Sequence, residues 1–222
     1  MSFISYQNLS EDDQQAARDL LDQVVLHVPF DGWTQACLEM AARDCDMSDD
    51  HLAALLPKGM TDAIALASQI ADEDMVTAFH ALEEPPAKMH LKIRTLILLR
   101  LTQAIPHKEA VRRTMSALAT PLHAPMSSAL LYQTVDHMWR AAGDDATDAS
   151  FYTKRATLAA VYSATLLAFL GDDSADMAKT EAFLDRRLAD VAKIPKVTGP
   201  IKQMAGQIGG MMQAVMARRN AS

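Results

Sequence analysis

Apolar residues recur three and four positions apart from Leu20 to Met216, and no stretch alternates apolar with polar residues. Helices bury stripes at that spacing, whereas a half-buried strand buries every second residue. The pattern therefore confines the chain to helices packed on helices. With only 8 Gly and 9 Pro, and aromatics at 5% of the residues, the composition also speaks against a β-sandwich. Half of the 222 residues are hydrophobic, which excludes general disorder and leaves enough apolar surface for a real core. The length suits one domain, or one domain with an appendage, and no internal repeat divides it.

Breakers and caps cut the chain into about nine or ten helices. Ser10 reads as an N-cap with acids in the first turn, and Leu20, Leu21, Val24, Val25 and Val28 follow until Pro29 stops the helix. Asp31 and Gly32 form a turn, and Trp33 opens a second helix with Ala36, Cys37, Met40 and Ala41. Ser48 caps a short third helix carrying Leu52, Leu55 and Leu56, so the front resembles a helix-turn-helix. Thr61 caps a fourth helix through Phe79. Residues 88–105 are apolar on most faces, which predicts a central helix. A short helix over 107–119 follows, then one begun near Pro125 and stopped by Gly143. Over 149–170, Leu158, Val161, Tyr162, Thr165, Leu166 and Phe169 line one face and small residues the other. A further helix over 174–192 precedes a linker at 193–200.

The last segment, 201–218, carries one apolar stripe: Ile201, Met204, Ile208, Met211, Met212, Val215 and Met216. Lys202, Arg218 and arginine's neighbour Arg219 lie off that stripe, and Gly206, Gly209 and Gly210 weaken the helix. An amphipathic helix of this kind needs a surface, which the protein core, a partner or a membrane could supply. Charge is polarised along the chain. Residues 1–60 hold eleven acids and three bases, while 191–222 hold five bases and no acid. The front repels polyanions and the tail attracts them.

Enzymatic signatures are absent: there is no Gly-x-Gly-x-x-Gly, Walker loop, Gly-x-Ser-x-Gly or His-Glu-x-x-His. None of the seven histidines has an acid three residues before it, and the Asp44, Asp46, Asp49, Asp50 cluster lacks the Gly and Glu of a calcium loop. No catalytic residue, metal site or cofactor is expected. The helix-turn-helix raises the alternative of a transcriptional regulator sensing an apolar ligand. Its would-be reading helix, from Ser48 to Leu56, offers acids where a DNA reader needs Lys, Arg, Asn or Gln, so no nucleic acid is expected as a partner. The front, MSFISYQNLSEDD, has no basic or apolar leader character, and Cys37 and Cys45 form no disulfide framework. These features lead to the expectation of a bacterial cytoplasmic protein.

Three segments carry a family resemblance. Asp136 to Asp148 (DHMWRAAGDDATD), Tyr152 to Tyr162 (YTKRATLAAVY) and Thr180 to Arg187 (TEAFLDRR), with Gly32-Trp33-Thr34 near the front, resemble the ninth COQ protein family, the accessory lipid-binding proteins of ubiquinone biosynthesis. The stretch Asp148 to Tyr152 departs from the family's Asp-Phe-Asn-Trp-Tyr, with Phe151 in place of Trp, and His137 stands where an acid is common. The resemblance implies an all-α, TetR-like bundle over 1–192, with 1–60 a degenerate, non-DNA-binding helix-turn-helix, and a homodimer. It implies a non-catalytic protein that binds isoprenoid quinone intermediates and presents them to the demethoxyubiquinone hydroxylase. The lipid pocket would fall on the central helices at Ile93, Leu96, Ile97, Leu130, Leu158, Tyr162, Thr165 and Leu166. The docking patch for the hydroxylase would comprise Asp136, Met138, Trp139, Phe151, Tyr152 and Arg155. The tail at 201–218 would meet the membrane surface through Ile201, Lys202, Met204, Ile208, Met211, Met212, Val215 and Met216, placing the protein peripherally at the bacterial inner membrane.

Overall fold

The computed structural model describes residues 4–144 and 149–193, and among these there is no strand. The helices are α1 (Glu11–Asp31), α2 (Gln35–Asp44), α3 (Asp49–Leu55), α4 (Met60–His80), α5 (Met89–Gln103), α6 (Lys108–Leu118), α7 (Ala124–Ala141) and α8 (Ala149–Gly171). A last helix, α9, runs over 178–193. The expected linker, apart from Lys193, and the expected tail helix lie outside the described residues.

Local chemistry sets most of the boundaries. Ser10, Thr34 and Ser48 each accept a hydrogen bond from the backbone N–H three residues on, which satisfies a donor the helix itself leaves open. Two starts differ from expectation. Helix α2 opens at Gln35 rather than at Trp33, because the Thr34 hydroxyl accepts from the Cys37 N–H and caps it. At α4 the cap position falls to Gly59, at φ +52°, and Asp62 rather than Thr61 reaches back to accept from the Lys58 N–H at 2.9 Å. A Cβ at Gly59 would stand 3.1 Å from the Gln35 side-chain end, which can give way, so it is the positive φ that favours glycine at this corner.

Pro29 does not stop α1. The helix continues to Asp31 and closes when Gly32, at φ +66°, donates its N–H to the Val28 carbonyl at 2.9 Å. A proline in the last turn loses one bond and lets the few residues beyond it finish the turn. Gly143 ends α7 as expected, at φ +86°, with its N–H on the Arg140 carbonyl and the Asp144 N–H on that of Trp139.

Packing divides the interior into two apolar clusters. The front cluster joins α1, α2 and α3 to the first half of α4, to α6 and to the start of α7, around Leu20, Val24, Leu38 and Leu66. The rear cluster joins the end of α4 and of α7 to α5, α8 and α9, around Met75, Leu96, Met138, Phe169 and Leu184. Helices α4 and α7 cross from one to the other: Ile64 and Leu130 belong to the front, Phe79 and Met138 to the rear. Helix α5 is less enclosed than its composition predicts. It buries Ile93, Leu96, Ile97 and Leu101, while Leu91 is exposed.

Candidate functional site

A cleft of about 270 Å³ opens where the two clusters meet. Val25, Trp33, Ile64 and Leu118 wall it from the front, and Leu101, Val111, Met115 and Leu166 from the rear. Most of this wall is apolar, as a lipid site requires. Trp33 presents its ring as wall because its Nε1–H is already donated to Thr114 Oγ1 at 2.9 Å. Thr114 in turn donates to the Ala110 carbonyl at 2.8 Å.

One side of the cleft is polar. Arg100 lines it and donates from Nε to Asp72 Oδ1 at 3.1 Å. Asp72 is 1% exposed, and its other oxygen accepts from Thr134 Oγ1 at 2.8 Å. His137 Nδ1 approaches the same carboxylate at 3.7 Å, and Asp72 draws the imidazole pKa above its ordinary value against the opposing effect of burial. Burial pushes the Tyr162 phenol up, with Arg100 partly offsetting it. Tyr162, Gln103, Ser68, His107, Ser127 and Ser163 add further polar lining, and Gln103 Oε1 is buried without a hydrogen-bond partner.

Of the pocket residues read from the sequence, Leu130, Tyr162 and Leu166 line this cleft. Ile93, Leu96, Ile97 and Leu158 pack inside the rear cluster instead, and Thr165 spends its hydroxyl on the Val161 carbonyl at 2.7 Å. They share helices with the lining residues but face neighbouring helices rather than the space. The polar groups Arg100, Gln103 and Asp72 have no counterpart in the sequence reading. Their only sequence signal is polar residues on helices with apolar stripes, at Arg100 and Gln103 one turn apart and at Asp72.

The second candidate site is the corner between α7 and α8. Three of the six expected docking residues are not at the surface. Met138 is fully buried in the rear cluster. Asp136 and Arg155, 8% and 4% exposed, face each other as an ion pair with Nε–Oδ1 of 2.7 Å. The surface assignment fails for these residues because a buried ion pair between two helices holds them inward, and each charge stays paired there. Arg140 adds a second cation on Asp136 at 2.6 Å. The Arg155 guanidinium also lies 3.4 Å from the Phe151 ring centroid, and Phe151 meets Tyr152 edge to face at 5.1 Å. Lys154 bridges Asp144, at 2.6 Å, and the Trp139 ring, at 5.6 Å. Trp139 and Phe151 are half-buried. Tyr152 stands 73% exposed, with Tyr132 exposed farther along α7. The expected membrane-binding residues, from Ile201 to Met216, lie outside the described residues.

At the front, α3 shows Asp49, Asp50 and His51 to solvent, and His51 Nε2 lies 3.0 Å from Asp13. Arg43 donates to the Glu39 carbonyl of its own helix. No helix among the described residues is long and apolar enough to cross a membrane. None of the His, Cys, Asp and Glu side chains described group in threes that could hold a metal ion.

A front helix-turn-helix joined to a helical body with an apolar cleft defines a TetR-like α-bundle. A TetR transcriptional regulator from Nitrosomonas europaea shares this fold at a TM-score of 0.63 and 19% identity, covering 80% of this chain and 98% of its own. Residues 124–195 match the COQ9 family pattern. The ubiquinone biosynthesis protein COQ9, mitochondrial, of Rattus norvegicus is 30% identical over 95% of this chain and 70% of its own length. The protein of that name from Homo sapiens is 29% identical over 95% of this chain and 68% of its own. The chain belongs to the COQ9 family. The relatives correct one expectation. A bacterial cytoplasmic location, peripheral to the inner membrane, does not stand beside relatives that are mitochondrial proteins. Compartment is encoded in targeting segments that the folded body does not need, so the body's composition does not decide it.

Proposed function

We propose that this chain is a non-catalytic, lipid-binding accessory protein of ubiquinone biosynthesis. Family membership supports the pathway, since the relatives bear the name of ubiquinone biosynthesis proteins. The observation that carries lipid binding is the apolar cleft between the two core clusters. In this reading the cleft takes an isoprenoid quinone intermediate. The segment 201–218 lays its Met and Ile stripe on a membrane while its basic residues meet anionic headgroups. The exposed Tyr152, backed by Phe151 and Trp139, is the part of the α7–α8 corner available to the demethoxyubiquinone hydroxylase, and the protein acts as a homodimer.

Organic extraction of the purified protein followed by lipid mass spectrometry tests the central claim. A long-chain isoprenoid at near-stoichiometric yield is expected, and an extract that stays empty after incubation with quinone-loaded vesicles would overturn it. The retained helix-turn-helix and the likeness to a TetR regulator favour a second reading, a regulator sensing an apolar ligand. The acids on α3 count against it. Salt-dependent binding to duplex DNA would decide for that reading.

A further inference from the structure

Helix α1 carries an exposed face. Asp12, Gln15, Asp19, Asp22, Leu26 and Phe30 recur three and four residues apart along it, and every one is exposed. The row is acidic toward the start of the helix and apolar at its end, where Leu26 is 54% and Phe30 86% exposed. The acid end is reinforced from the end of α2. Cys45 Sγ lies 3.3 Å from the Asp19 carbonyl, and burial together with Asp19, Asp44, Asp22 and Asp46 pushes its thiol pKa up. Arg18 does not neutralise this row, because it turns to Glu73 and Asp74 of α4. His27 lies 2.6 Å from Asp44.

The charge decides what can cover this face. An anionic membrane is repelled by it, and so is the same face of a second copy. A basic helix with an apolar row is attracted, and the chain carries one: residues 191–222 hold five bases and no acid. Met212, Met216 and Arg219 are spaced four and three residues apart. Laid antiparallel, they repeat the order of Phe30, Leu26 and Asp22, with Arg218 beside them. Reach is sufficient. The seventeen residues 194–210 between α9 and that end extend to at most about 55–60 Å, against the roughly 40 Å expected across a domain of this size.

We propose that the exposed face of α1, from Asp19 to Phe30, is a docking site for the basic end of this chain's own tail, residues 211–219. Docked there, the tail keeps Met212 and Met216 off a membrane, and an anionic bilayer competes for the same residues and releases it. The docking face does not depend on the membrane role given to the tail above; it adds a second surface that the tail can cover.

Trypsin digestion of the full chain, read by intact mass, has its own internal control: Arg218 and Arg219 lie inside the docked end and Lys202 outside it. In the double variant Leu26→Gln/Phe30→Gln, cleavage at Arg218 and Arg219 relative to Lys202 should rise several-fold. High salt should do the same to the unsubstituted protein. The double variant keeps the net charge and changes only exposed side chains, so circular dichroism should be unaltered, and Asp22→Asn is expected to act in the same direction. Binding to vesicles of phosphatidylcholine and cardiolipin should rise several-fold in the double variant. A cleavage ratio that neither variant moves would overturn the docking site. So would a loss of vesicle binding in the double variant, which would make Leu26 and Phe30 part of a membrane face. A change from dimer to monomer with the ratio unmoved would overturn it too and assign them to a contact between copies. A raised ratio with no vesicle binding by either protein would keep the docking site and overturn the membrane role of the tail.

Discussion

His137 lies 3.7 Å from Asp72, a carboxylate that already faces Arg100 and Thr134. The anion raises the imidazole pKa above about 6.5; burial and the Arg140 charge oppose the rise, and Asp136 reinforces it. A group whose folded pKa is raised contributes stability that is complete below its unfolded value and is lost as pH rises through the folded one. Stability to urea should therefore fall as the pH rises above about 6.5. In His137→Gln that part of the fall should vanish, and an unchanged pH profile in the variant would refute the assignment. Neither this contact nor the Asp72–Arg100 pair was legible in the sequence, because the partners sit on different helices and only packing brings them together. Arg155 is a similar case. An arginine on a polar helix start reads as surface, and only the facing Asp136 turns it inward.

At the scale of elements, the caps were legible and the faces were not. Ser10 and Ser48 act through bonds three residues long, so the local sequence contains the whole interaction. Which side of α5 or α8 meets a cleft depends on helices far away in the chain, so Leu166 and Leu158 look alike until the bundle is assembled. Helix α9 shows how a single side chain secures an element. Burial pushes the Asp172 carboxyl up, but hydrogen bonds from the backbones and hydroxyls of Ser174 and Thr180 more than reverse this and hold it well below its ordinary value. That stabilisation is present above the usual carboxylate range and is lost as acid titrates the folded form. Asp172→Ala should cost about 1.5–3 kcal/mol, a range typical of hydrogen bonds to a charged group. Hydrogen exchange should place the loss at the start of α9. Unchanged exchange across residues 178–184 would show that the helix is held by packing alone.

The described residues form two apolar cores sharing α4 and α7. Such a joint is weaker than either core where the cleft removes contacts from it. Hydrogen exchange in mild denaturant should show α1 to α3 opening as one unit and α5 with α8 as another, in the protein without ligand. A single opening common to all of them would refute this division. The all-α bundle itself followed from periodicity, since stripes three and four apart admit no other layer. The division into two cores did not, because nothing in the order of helices says which pairs will leave a gap. The position of that gap has a consequence for traffic. A cargo seated inside one core could leave only by melting it, whereas a cargo at the joint leaves when the two halves part slightly. A molecule bound there would act as a latch: it would stiffen the joint, and anything that parted the front helices from the rear ones would release it.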